Sequence, residues 1–178
     1  MGARTKARKS ALDVLYAADV RGVPARELLS EPSISGNQAR PYTVVLVEGV
    51  TDRCDEIDAL LGRYSTGWDV DRMPAIDRNL LRIAVFEVVS GQVDAPVAVS
   101  EAVALSRQLS TDDSPAFVNG VLGALIASEP AFTAVAVVDD DVAFDDDDAD
   151  EVVLDADFSQ NTEIVVEDDD FGPHYKAP

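Results

Sequence analysis

At 178 residues the chain is long enough for one domain with a real hydrophobic core, or two small helical bundles sharing one, and too short for several independent domains. A formal net charge of -20 would exclude a nucleic-acid partner if it were evenly spread, because a polyanion repels phosphate. It is not evenly spread: residues 1–128 hold 13 Arg and Lys against 17 Asp and Glu, a net of -4, whereas residues 129–178 hold 1 against 17, a net of -16.

The amino terminus is a basic arm, with Arg4, Lys6, Arg8 and Lys9 ahead of the first acid, Asp13. This is where an electrostatic footprint for phosphate can lie. The arm runs into an apolar stripe at spacings of three and four, Ala11, Leu12, Leu15, Tyr16 and Ala18, so arm and stripe form one predicted helix ending near Gly22. Cations at a helix start oppose its macrodipole, a placement that costs stability unless an anion compensates. Residues 31–38 contain Pro, Ser, Gly and Asn without period and are predicted to be a loop. Pro41 suits a first helical turn, and from Tyr42 through Val45, Leu46, Gly49, Val50, Arg53, Ile57, Leu60 and Leu61 to Tyr64 one face persists for about six turns. A single long helix is predicted there.

Gly67 breaks that helix, residues 68–73 form a short turn, and Pro74 precedes a segment apolar around its whole circumference, from Ile76 to Val89. Such a pattern predicts a buried central helix over 75–90. Pro96 begins the next, with Ala98, Ala102, Leu105 and Leu109 on one face. Ser114 before Pro115 reads as an N-cap hydroxyl followed by proline at the first position, and opens a last helix in which Gly120 and Gly123 would allow close packing. Beyond Ser128 the aspartate runs 139–141 and 145–148 alternate with small apolar clusters. Those clusters are too few to offset the entropy of ordering, so 129–178 is expected to be a disordered acidic tail.

Cys54 and His174 are the sole residues of their kinds, which excludes an internal disulfide or a Cys and His zinc cage and fits a reducing cytoplasm. The first residues lack the apolar stretch of a secretory signal and no run approaches the ~18 apolar residues of a membrane span, so a soluble protein that stays inside the cell is expected. Residues 1–128 carry no histidine base, no Gly-rich phosphate loop and no activated nucleophile, so neither catalysis nor a cofactor or metal is expected. Asp112 and Asp113 are a capping and dipole arrangement rather than a catalytic pair. Cys54 is assigned to packing, and Arg82 on the central helix is expected to be neutralised by Glu87 or Glu101.

Three strings, ARKSALDVLYAADV at 7–20, AIDRNLLRIAVFEV at 75–88 and EAVALSRQLSTDDSPAFVNGVLG at 101–123, resemble the NusB family of transcription antitermination factors. The resemblance covers nearly all of residues 3–128 and none of the acidic segment. It implies an all-α fold of two three-helix bundles packed crosswise, a partnership with the ribosomal protein NusE within the RNA polymerase antitermination complex, and recognition of single-stranded boxA RNA in ribosomal leaders. On that pattern Arg4, Lys6, Arg8 and Lys9 match the family's arginine-rich arm. Tyr16, Tyr64, Arg107, Asp113 and Phe117 fall at or near its RNA contacts, and Asp77 falls at a partner contact. Cations along the backbone, stacking aromatics and acceptors for base edges are the residue types that read unpaired bases. The competing functional reading is a homodimeric interaction scaffold with weak RNA binding; the domain fused to ribosomal RNA methyltransferases is not expected, because residues 129–178 hold no Gly-rich nucleotide-binding segment.

Overall fold

Apolar residues spaced at three and four build each element of the computed structural model, which describes residues 2–31, 34, 39–65 and 69–128. The segment 129–178, expected as an acidic tail, lies outside the described residues, as do most of the 31–38 loop, Gly67 and Trp68. Helix α1 (Ala3–Arg21) joins arm and stripe as predicted and stops at Gly22, which takes the left-handed conformation at φ 64° and donates to the Ala18 carbonyl at 2.8 Å. Helix α2 (Ala25–Leu29) follows, then α3 (Pro41–Asp52) with proline in its first turn. After α4 (Cys54–Tyr64) comes a 3-10 turn (Val70–Arg72), then α5 (Ala75–Val89), α6 (Ala95–Leu109) and α7 (Ser114–Ser128).

The long helix predicted over 41–64 is two helices. The chain breaks at Arg53, at φ -114° and ψ 20°, and the guanidinium turns forward to grip Glu56 at 2.8 and 2.9 Å. The break serves packing: α3 lays Leu46, Val47 and Val50 toward α1, α2 and α5, while α4 lays Ile57, Leu60 and Leu61 toward α5 and α7. One straight rod could not reach both sets of partners.

Helices α1 to α3 thus form one bundle and α5 to α7, with α4 against them, a second. Helix α5 packs on both, which is why ten of its 15 residues are buried. Leu80, Leu81, Ile83, Ala84 and Val85 are all at 2% exposure or less, continuous with Leu46, Leu61, Leu105, Leu122 and Leu125 in one core. Each such Leu or Ile contributes roughly 1.5–3 kcal/mol by leaving water.

Two sets of glycines behave differently. Gly120 and Gly123, expected to permit close packing, are exposed, and a Cβ on either meets nothing within 4 Å among the described residues. Gly49 is where close approach is real: a Cβ there would overlap the Phe86 ring at Cζ and both Cε atoms. The ring of α5 rests on the bare backbone of α3. Gly49→Ala is therefore expected to destabilise the fold by about 1–3 kcal/mol through overpacking. Gly120→Ala should instead stabilise it by up to about 1 kcal/mol through helix propensity. Paired urea melts, read as opposite shifts in midpoint at constant slope, check both.

Candidate nucleic-acid interface

Successive residues on a helix turn by about 100°, so the four cations of the arm cannot all face one way. Lys6 and Lys9 share the outward side of α1 with Asp13, Tyr16 and Val20, the last two 42% and 66% exposed. Lys9 donates to Asp13 at 2.9 Å, a solvent-exposed pair of the kind that holds a lysine loosely. Cations and an exposed aromatic ring therefore form one stripe.

Arg4 and Arg8 lie on another side of the helix, and their fates differ. Arg4 is exposed, with its guanidinium 5.7 Å from the Tyr42 ring centroid. Arg8, expected to stand free with the arm, has to be reassigned: it is 3% exposed. Its Nε donates to both Glu87 oxygens at 2.9 and 3.1 Å, its Nη1 lies 3.3 Å from Glu101, and it too faces the Tyr42 ring, at 5.9 Å. Burial alone would lower its pKa, but the hydrogen bond and charge of Glu87 outweigh that and raise it, so it stays cationic. Tyr42 donates its hydroxyl to Glu87 as well; burial, then the Glu87 charge, pushes the phenol above its ordinary range and keeps the proton in place.

Because Arg8 takes Glu87 and Glu101, Arg82 finds its neutralising carboxylate elsewhere. It bonds Asp58 of α4 at 2.8 and 2.7 Å, with Asp19 at 3.8 Å. Five residues along a helix is about 140° around it, so Glu87 points away from Arg82. Cys54, 3.9 Å from Asp58, has its thiol pushed up by burial and is held unreactive beside that pair.

A second group of predicted residues meets where α6 gives way to α7. Arg107 is exposed on the last turn of α6 and lines an open cleft of about 450 Å³ with Thr111, Asp112, Pro115 and Asn119. Asp113 is exposed, and its carbonyl accepts the Phe117 N–H at 3.1 Å, so it holds the capping position expected of Ser114. Phe117 is half-buried against the core. Ser114 is instead the first residue of the helix and 1% exposed; its hydroxyl donates to Asp77 at 2.7 Å and lies 2.9 Å from both Ser110 and Thr111 hydroxyls. Asp77, expected at a partner contact, is correspondingly an interior residue, 2% exposed. Its Oδ1 has no hydrogen-bond partner among the described residues. Tyr64 stands apart in sequence at the end of α4, half-buried, with Arg63 5.9 Å from its ring centroid.

No local signal marks Arg8 for burial: Arg4, one turn earlier on the same face, is exposed. Nothing in the sequence pointed to Tyr42 or to the Ser110, Thr111 and Ser114 cluster. Among the described residues no set of three or more His, Cys, Asp or Glu could hold a metal, and no helix is long and apolar enough to cross a membrane.

The model of the NusB family matches residues 5–127. The transcription antitermination protein NusB of Salinispora tropica is 54% identical over 128 residues, 69% of this chain and 94% of that protein. Its namesake from Nocardioides sp. is 51% identical over 133 residues, 74% and 98% of the two chains. Among solved structures, one of antitermination factors NusB and NusE in complex with dsRNA superposes with a TM-score of 0.63 at 28% identity, covering 71% of this chain and 97% of that one.

The Ser114 hydroxyl is the only hydrogen bond Asp77 accepts among the described side chains. Ser114→Ala is expected to leave that buried carboxylate unsatisfied and to cost about 1–3 kcal/mol in chemical denaturation. A midpoint unchanged from the parent would contradict this account of the corner.

Proposed function

The chain belongs to the NusB family, and from that premise we propose that it is an antitermination factor that binds boxA-type single-stranded leader RNA together with the ribosomal protein NusE, promoting transcription of ribosomal RNA. The observation that carries the reading is the stripe on α1, where Lys6 and Lys9 stand beside the exposed ring of Tyr16, with Arg4 at the helix start. Backbone phosphate meets the cations while an unpaired base stacks on the ring. Arg107, Asp113 and Phe117 at the α6–α7 corner supply a further cation, an acceptor for base edges and a second aromatic. A structure in which NusB and NusE meet dsRNA supports the choice of partners. Tyr64 is proposed as an RNA contact on family position alone, and Arg8 and Asp77 are left out because their side chains are interior.

Binding of labelled boxA RNA by fluorescence anisotropy, with and without NusE and across a salt series, tests the proposal. The triple variant Arg4→Gln, Lys6→Gln, Lys9→Gln is expected to weaken binding and to flatten the dependence of log K on log salt by about 2, at roughly 0.7 for each phosphate no longer neutralised. Tyr16→Ala should weaken binding by about 1–3 kcal/mol with the salt slope intact, as loss of one stacking platform. If the triple variant binds as the parent does, the arm is not the RNA site and the dimeric scaffold gains ground, which sedimentation of the same samples would reveal.

A further inference from the structure

Helix α1 begins against its own electrostatics. Its cap residue is Gly2, which has no side chain to bond the free amides, its first turn has no acid, and four cations crowd its positive end. An isolated helix with such a start would fray back toward the apolar stripe. Yet α1 is helical from Ala3.

The arm is held down by contacts that reach different parts of the body. Arg8 pairs with Glu87 of α5 and Glu101 of α6. The Thr43 hydroxyl of α3 donates to the Ala7 carbonyl at 3.2 Å, in a buried setting. Tyr42, beside it, donates to Glu87, and its ring lies 5.7 Å from the Arg4 guanidinium and 5.9 Å from that of Arg8. A phosphate could recruit Arg8 only by stripping the charge that neutralises two carboxylates, one of them 1% exposed.

We infer that Arg8, Tyr42, Glu87 and Glu101 form a clamp, buried at Arg8 and Glu87, that keeps the cationic arm helical, making Arg8 a positioning residue rather than a phosphate contact. The inference rests on the RNA-binding reading for its functional consequence: a preformed arm presents Arg4, Lys6 and Lys9 in fixed register, so binding does not have to order them. A Lys at position 8 keeps the charge and loses the planar fork that bonds both Glu87 oxygens through one nitrogen and reaches Glu101 with another.

Two readouts on the full chain separate this from its alternatives. Amide hydrogen exchange in the free protein is expected to speed up by about tenfold or more over residues 6–10 in Arg8→Gln, while the α5 core amides change far less. RNA affinity should fall by about three- to tenfold with the salt slope unchanged, because the phosphate-facing cations remain. Tyr42→Phe keeps the ring under Arg4 and removes only the hydroxyl; it guards against an Arg8 variant that fails to fold, and it should open the arm to a smaller extent. Unchanged exchange in the arm overturns the clamp. A slope reduced by about 0.7 in Arg8→Gln would make Arg8 a phosphate contact, and an opened arm with full affinity would overturn its role as a positioning residue. If the parent chain bound no single-stranded RNA, the functional reading would fall by itself, while exchange would still decide whether the clamp exists.

Discussion

A single guanidinium at 3% exposure, divided between two carboxylates, joins the helix that starts the chain to the helix at its centre. Removing one partner of such a pair strands the other charge in a medium that cannot solvate it, so Arg8 and Glu87 bind each other to one arrangement of α1 on α5. Apolar contacts alone tolerate sliding and rotation better than a bonded fork does. At the other end of α5 the same logic recurs with Asp77 and the Ser114 hydroxyl. The two acids are ten residues apart, about 15 Å along the axis. One roots the arm and the other roots the α6–α7 corner, so both surfaces are addressed from one buried element.

Net charge is a poor guide to what such a surface attracts. At physiological ionic strength fields between exposed groups fade over about 8 Å, so an anion brought to the arm would feel Lys6, Lys9, Arg4 and the nearby Asp13 most strongly. The Lys9 and Asp13 pair is exposed on both sides, and a phosphate can take the lysine at little cost. Arg8 could not be borrowed in that way. The four cations that look alike in the sequence are thus three solvent-facing groups and one internal tie.

The helices, the central position of α5 and the stop at Gly22 were legible because each depends on local spacing or on a backbone conformation that one residue type favours. The family was legible from three strings in order. What escaped were features fixed by two distant segments at once. The break at Arg53 follows from which bundle each half of 41–64 must reach, and no residue there announces it. Ser114 carries every local mark of a cap, but Asp77, 37 positions away, claims its hydroxyl. Arg8 carries every mark of an exposed arm until Glu87 is placed beneath it. For Ser114 and Arg8 the donor was plain in the local pattern, and only the tertiary arrangement supplied the acceptor.

The contact between Gly49 and Phe86 has a consequence for how this scaffold can vary. With the ring seated on the α3 backbone, neither position can accept a different volume while the other stays fixed: a side chain at 49 has nowhere to go, and a small residue at 86 would leave a void over bare peptide. The two sites exchange volume as communicating vessels do, so a bulkier residue on α3 is admissible only in a chain that has already shrunk its counterpart on α5.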